Sequence, residues 1–107
     1  MTFNELLGEI QKVPHQEMRA CEEDYLEMVF AQNTLGVVVP VLEGYFGVPL
    51  KPAGAGSSKD ANKHAEPYGG IQANQTMYFR PGERGSELAL LWPWGSGAAT
   101  TVKIIRE

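Results

Sequence analysis

Apolar positions along the chain follow two periods, and the change from one to the other divides it. Phe3, Leu6, Leu7 and Ile10 fall at the i, i+3, i+4, i+7 spacing that lines one face of a helix. Thr2-Phe3-Asn4-Glu5 supplies the start signal, a capping box in which the threonine oxygen and the glutamate carboxylate each satisfy a backbone N–H that the first turn leaves unpaired. Pro14 ends the run, because its ring clashes with a preceding helical turn. Pro14 can also open a following helix, where its missing N–H costs nothing. Met18, Cys21, Tyr25, Met28 or Val29, and Gln32 then continue in three- and four-residue steps, so the pattern predicts a second helix from His15 to Asn33. Pro40 ahead of Val41 to Phe46, with Gly47 just beyond, predicts a short third helix. Val37-Val38-Val39 fits either a short strand or part of a longer, bent helix, and the prolines at 49 and 52 keep Val48 to Pro52 extended.

Beyond residue 74 the period becomes two. Met77 and Phe79 alternate with Thr76, Tyr78 and Arg80, and Val102 and Ile104 alternate with Thr101 and Lys103. Between them Glu87 to Trp94 is apolar at successive positions, the mark of a strand covered on both faces. Turns at Pro81 to Ser86 and Gly95 to Gly97 separate three strands, Gln75–Arg80, Glu87–Pro93 and Ala99–Ile105. If the helices lie on Leu88, Leu90 and Trp92, then Ala89 and Leu91 need cover from a loop or a second subunit. Each large apolar side chain left wet forgoes about 1.5–3 kcal/mol. From Ala53 to Asn74 neither period holds, and Gly, Ala, Ser, Lys and Asn dominate a long polar loop with room for one serine-capped turn at Ser58 to His64.

A chain of 107 residues falls within the range of a single domain. Its one cysteine, Cys21, has no partner for an internal disulfide, and no apolar run approaches the ~20 residues that span a bilayer. The first residues carry no basic segment of the secretory type, so a reducing, cytoplasmic location is expected. The net charge of −4 is uneven: residues 1–47 carry two Lys/Arg against eight Asp/Glu, residues 48–107 seven against five. Lys51, Lys59, Lys63, Arg80, Arg84, Lys103 and Arg106 are scattered among acids and form no basic stripe, which argues against nucleic acid as a partner.

Three places carry candidate chemistry. Ala53 to Lys59 invites comparison with phosphate-cradling loops, yet it follows no strand and lacks both the third glycine of the dinucleotide fingerprint and the Gly-Lys-Ser/Thr ending of the nucleotide loop. A flexible linker is the plainer reading. Lys63, His64, Glu66 and Tyr68, with Lys59 just before them, form the densest group of reactive types; an imidazole that moves a proton near neutral pH stands beside an amine, a carboxylate and a phenol. A solvated loop histidine is the competing reading. Trp92 and Trp94 flank Pro93 on the central strand and suit an aromatic surface for a ligand or a protein, against a plainer role in the core. His15 and His64 have no second ligand at metal spacing, so no metal site is expected, and no residue signals a particular cofactor. No catalytic triad order, paired-carboxylate motif, Cys-x-x-Cys or repeat is visible.

The expected architecture is α+β: one domain over residues 1–107, with an N-terminal helical hairpin and short third helix in residues 1–47, a polar loop at 53–74, and a three-stranded antiparallel meander in 75–107. A three-stranded sheet with open edges and a bare face favours a homodimer. The expected function is an interaction or ligand-binding module that associates through its sheet, with a small molecule or protein as partner. The alternative is a small enzyme or phosphate-ligand binder built on the 54–70 loop.

Overall fold

Thr2 caps the first helix, α1 (Phe3–Gln11), in the computed structural model, which describes residues 1–107. Its hydroxyl accepts from the Glu5 N–H at 3.1 Å and the Glu5 carboxylate accepts from the Thr2 N–H at 2.9 Å. Phe3, Leu6, Leu7 and Ile10 are all buried.

The segment from His15 to Asn33 is not a helix. It is a hairpin of two strands, β1 (Glu17–Glu22) and β2 (Tyr25–Ala31), joined by Glu23 and Asp24, since Glu22 pairs with Tyr25. The three- and four-residue steps through Met18, Cys21 and Tyr25 picked residues that are exposed or half-buried. The fold buries Leu26, Met28, Val29 and Phe30, and the alternate set Leu26, Met28 and Phe30 enters the main core. Aromatic and β-branched content in β2 suits a pleated surface, and burial in mid-sheet outweighs weak helical spacing. Arg106 anchors the turn: its Nε donates to Asp24 Oδ1 at 2.8 Å and its backbone N–H to the Asp24 carbonyl at 2.9 Å.

The third helix, α2 (Leu35–Phe46), is longer than Pro40–Gly47 and takes in the three valines. Pro40 sits inside it, where its ring nitrogen cannot donate to the Gly36 carbonyl. The polar excursion after it contains α3 (Lys59–Ala65), capped by Ser58, and a single 3₁₀ turn at Glu66–Tyr68. Strands β3 (Thr76–Arg80), β4 (Glu87–Pro93) and β5 (Ala99–Arg106) follow.

All five strands form one antiparallel sheet in the order β1-β2-β5-β4-β3. The helical hairpin and three-stranded meander expected from the pattern give way to one N-terminal helix and a five-stranded sheet, within the α+β class. No helix is long and apolar enough to cross a membrane.

Register sorts the side chains onto two faces. One row across the sheet reads Leu26, Ile104, Ala89, Tyr78; the next row, on the opposite face, reads Glu27, Lys103, Leu90, Met77. Helices α1 and α2 cover the first face, where Phe3, Leu6, Ile10, Val38 and Leu42 close over Met28, Phe30, Leu91 and Val102. On the other face Ala61 and Ala65 of α3 reach Met77, Leu88, Leu90 and Ile105. The assignment of faces is thus the reverse of the one expected: the main helices lie on Ala89 and Leu91. Leu88, Leu90 and Trp92 are covered by the chain's own loop.

Lys51 fixes that loop. Its backbone exchanges two hydrogen bonds with Met77, at 3.1 and 2.9 Å, along the outer edge of β3. Its side chain is buried, and Nζ donates to the carbonyls of Pro52, Ala73 and Gln75 at 3.0, 2.8 and 2.6 Å. A single ammonium therefore joins both ends of the excursion.

Burial sets the alkaline limit of the fold. Tyr78 and Tyr45 are pushed from the ordinary 10.0 up to about 12, first by burial and then by Glu43 and Glu87 respectively. A raised acid stabilises the fold fully below pH 10 and loses that contribution as pH climbs through the folded value. Burial lowers Lys51 and Lys103, and their contribution has the opposite sign, growing as pH approaches 10.5 from below. Urea unfolding of the Tyr78→Phe variant should therefore show a shallower loss of stability between pH 10 and 12 than the parent chain; equal slopes would contradict this origin of the alkaline limit.

Candidate functional site

Two arrangements of side chains emerge, one beneath the loop and one at the end of the sheet. Under the loop, Lys103 crosses the second face, with its Nζ 3.6 Å from the centre of the Trp92 ring and donating to the Tyr68 carbonyl at 2.9 Å. A desolvated cation over an indole is held by about 2 kcal/mol. Tyr68 leans toward Tyr25, ring centres 6.4 Å apart, and the Tyr25 hydroxyl donates to Glu27 at 2.6 Å. Gly69, at φ +108°, packs against the indole: a methyl group there would stand 3.1 Å from Trp92 Cζ2 and closer still to Cη2. Trp94 lies further along the same face, 39% exposed; its Nε1 donates to Thr101 at 3.0 Å and the Arg19 guanidinium stands 5.8 Å from its ring.

The residues singled out from sequence are thus dispersed. Tyr68 and Trp92 are joined through Lys103. His64 is stacked on Phe79 at 4.6 Å, and its Nδ1 lies 3.1 Å from a Glu107 carboxylate oxygen. Lys59 and Lys63 are exposed and make no ion pair, and Glu66 borders an open hollow with Asn62, Gly69, Gly70 and Ile71. No three His, Cys, Asp or Glu side chains gather as a metal site.

The second arrangement had no local signal in the sequence. A hollow of about 460 Å³ opens where the start of α1, the last turn of α2, the 81–86 turn and the end of β5 meet. Arg80 and Glu87 are cross-strand partners that close the β3–β4 turn, and Tyr45 and Arg106 come from elsewhere in the chain. The Tyr45 hydroxyl donates to the buried Glu87 carboxylate. Arg80 donates to the Tyr45 carbonyl at 3.2 Å, lies 4.5 Å from its ring and places Nε 3.8 Å from Glu87. Arg106 is gripped by Asp24 and lies 4.8 Å from the Phe3 ring. Arg84 is exposed and makes no ion pair.

The Tyr45 phenol stays protonated at neutral pH, pushed up to about 12 by burial and by Glu87, and no serine, cysteine or histidine lines the hollow. Comparison with protein-family models, curated proteins and solved structures finds no match.

Replacing Gly69 with alanine tests the packing beneath the loop. Gly69→Ala should cost about 1–3 kcal/mol in urea unfolding, from strain at positive φ plus the clash with Trp92. Tryptophan emission should shift at the same time; unchanged stability and emission would mean that the loop rides free of the indole.

Proposed function

We propose that this chain is a non-enzymatic binding module whose ligand occupies the hollow at the end of the sheet. One observation carries the reading: charged and aromatic side chains from α1, α2, β3, β4 and β5 line a single concave space of about 460 Å³, most of them already held by pairing or stacking. Groups fixed in advance lose little freedom when a ligand arrives. The alternative of an enzyme or phosphate binder on the 54–70 loop has less support, because His64 is engaged by Glu107 and neither Lys59 nor Lys63 lines a hollow.

Self-association is a second reading, and it moves from the face of the sheet to its edge. Lys51 pairs with Met77 on the outer edge of β3, whereas β1 is mostly exposed and has no such partner on its outer side. The register shift at Arg19 and the charges of Glu17 and Glu22 weaken that edge as a template. Light scattering across micromolar concentrations decides between a monomer and a dimer joined there. The exposed free thiol of Cys21 supports a reducing compartment, and we place the protein in the cytoplasm on that ground.

A fragment mixture titrated into ¹⁵N-labelled protein tests the main reading. Amide shifts should gather at Phe3, Tyr45, Arg80, Arg84 and Glu87; shifts confined to residues 62–71 or to β1 would overturn it.

A further inference from the structure

We infer that the ligand of this hollow is a small molecule bearing an oxyanion, a carboxylate or a phosphate, held by Arg84 with Arg80 and Arg106 beside it. The inference rests on the hollow being the ligand site and adds the ligand's chemistry.

The chain has four arginines, at 19, 80, 84 and 106, and three of them line this one space in a protein whose net charge is −4. None of the five lysines lines it. The distinction matters because a guanidinium offers a planar fork of donors that matches two oxygens of a carboxylate or phosphate at once, whereas an ammonium is a point charge.

Two of the three are braced. Arg80 is held by the Tyr45 carbonyl and ring, and Arg106 by Asp24 Oδ1 through Nε. Arg106 Nη2 is buried 2.6 Å from that same oxygen, so Asp24 holds this guanidinium by both nitrogens and fixes its place at the edge of the hollow. Arg84 has no ion-pair partner and is the exposed arm of the set. On the other side of the balance stand Glu83 and Glu87, and Glu87 is taken up by Tyr45 and Arg80. Three arginines against two glutamates line the space, and Asp24 balances Arg106 from just outside it, so recognition rests on the guanidinium forks and not on net charge, which disfavours a polyanion.

The test uses the intact chain, with inorganic phosphate and succinate titrated separately at ionic strength held constant with sodium chloride. Saturable shifts of the Arg80, Arg84 and Arg106 Nε–Hε signals are expected with at least one of them, and the anion that binds identifies the group recognised. Arg84→Ala should weaken binding at least about tenfold, with Arg84→Lys in between, while Lys59→Ala, outside the hollow, should leave it unchanged. Undiminished binding by Arg84→Ala would overturn the inference. So would a hollow that answers only to neutral or cationic fragments, in which case the binding-module reading survives. Silence from every probe, whatever its charge, would remove both.

Discussion

A buried ammonium closes this fold. Lys51 is 2% exposed, and its Nζ donates to three backbone carbonyls drawn from the two ends of the excursion between Pro52 and Gln75. Hydrogen bonds from a charged donor are worth about 1.5–3 kcal/mol each in net terms, and leaving their acceptors buried and unmet costs a comparable amount. Because the Lys51 backbone also pairs with Met77, the same residue seals the edge of β3 and sets where the excursion departs and returns. The position of α3 over Met77, Leu88 and Leu90 follows from that closure.

Cover for both faces of the long apolar strand β4 comes from within the chain. Helices α1 and α2 serve one face and the strapped loop serves the other, assisted by Lys103, which binds the Tyr68 carbonyl across the Trp92 ring. Two lysines that would ordinarily sit in solvent act here as fasteners. Three of the four arginines gather instead at the end of the sheet, where strand termini and two helices meet and where the hollow forms.

Part of this was legible in the residues. The capping box at Thr2 and Glu5 is a local signal that tertiary context does not disturb, and the apolar run through Leu88 to Trp92 marks a strand covered twice. Residues 15–33 carried two patterns at once: helical steps through Met18, Cys21 and Tyr25, and alternation at Leu26, Met28 and Phe30. Pairing of β2 with β5 decides between them, and the partners in that contact lie 68 to 80 residues apart in sequence. Pro40 read as a helix start because local rules give it no other easy place, yet α2 tolerates it inside its run. Helix α3 offers only Ala61 and Ala65 as buried positions, too small a stripe to register as a period. The hollow was the least legible feature, since Tyr45, Arg80 and Arg106 become neighbours only through topology.

Native-state hydrogen exchange on the Lys51→Met variant probes the closure most directly. If the ammonium holds the loop to the sheet, the amides of Asn62 and Met77, bonded to Ser58 and Lys51, should exchange far faster than in the parent chain. Met28, in the middle of the sheet, should keep most of its protection. Unchanged protection at Asn62 and Met77 would contradict the role assigned to Lys51 and leave the position of α3 without its cause.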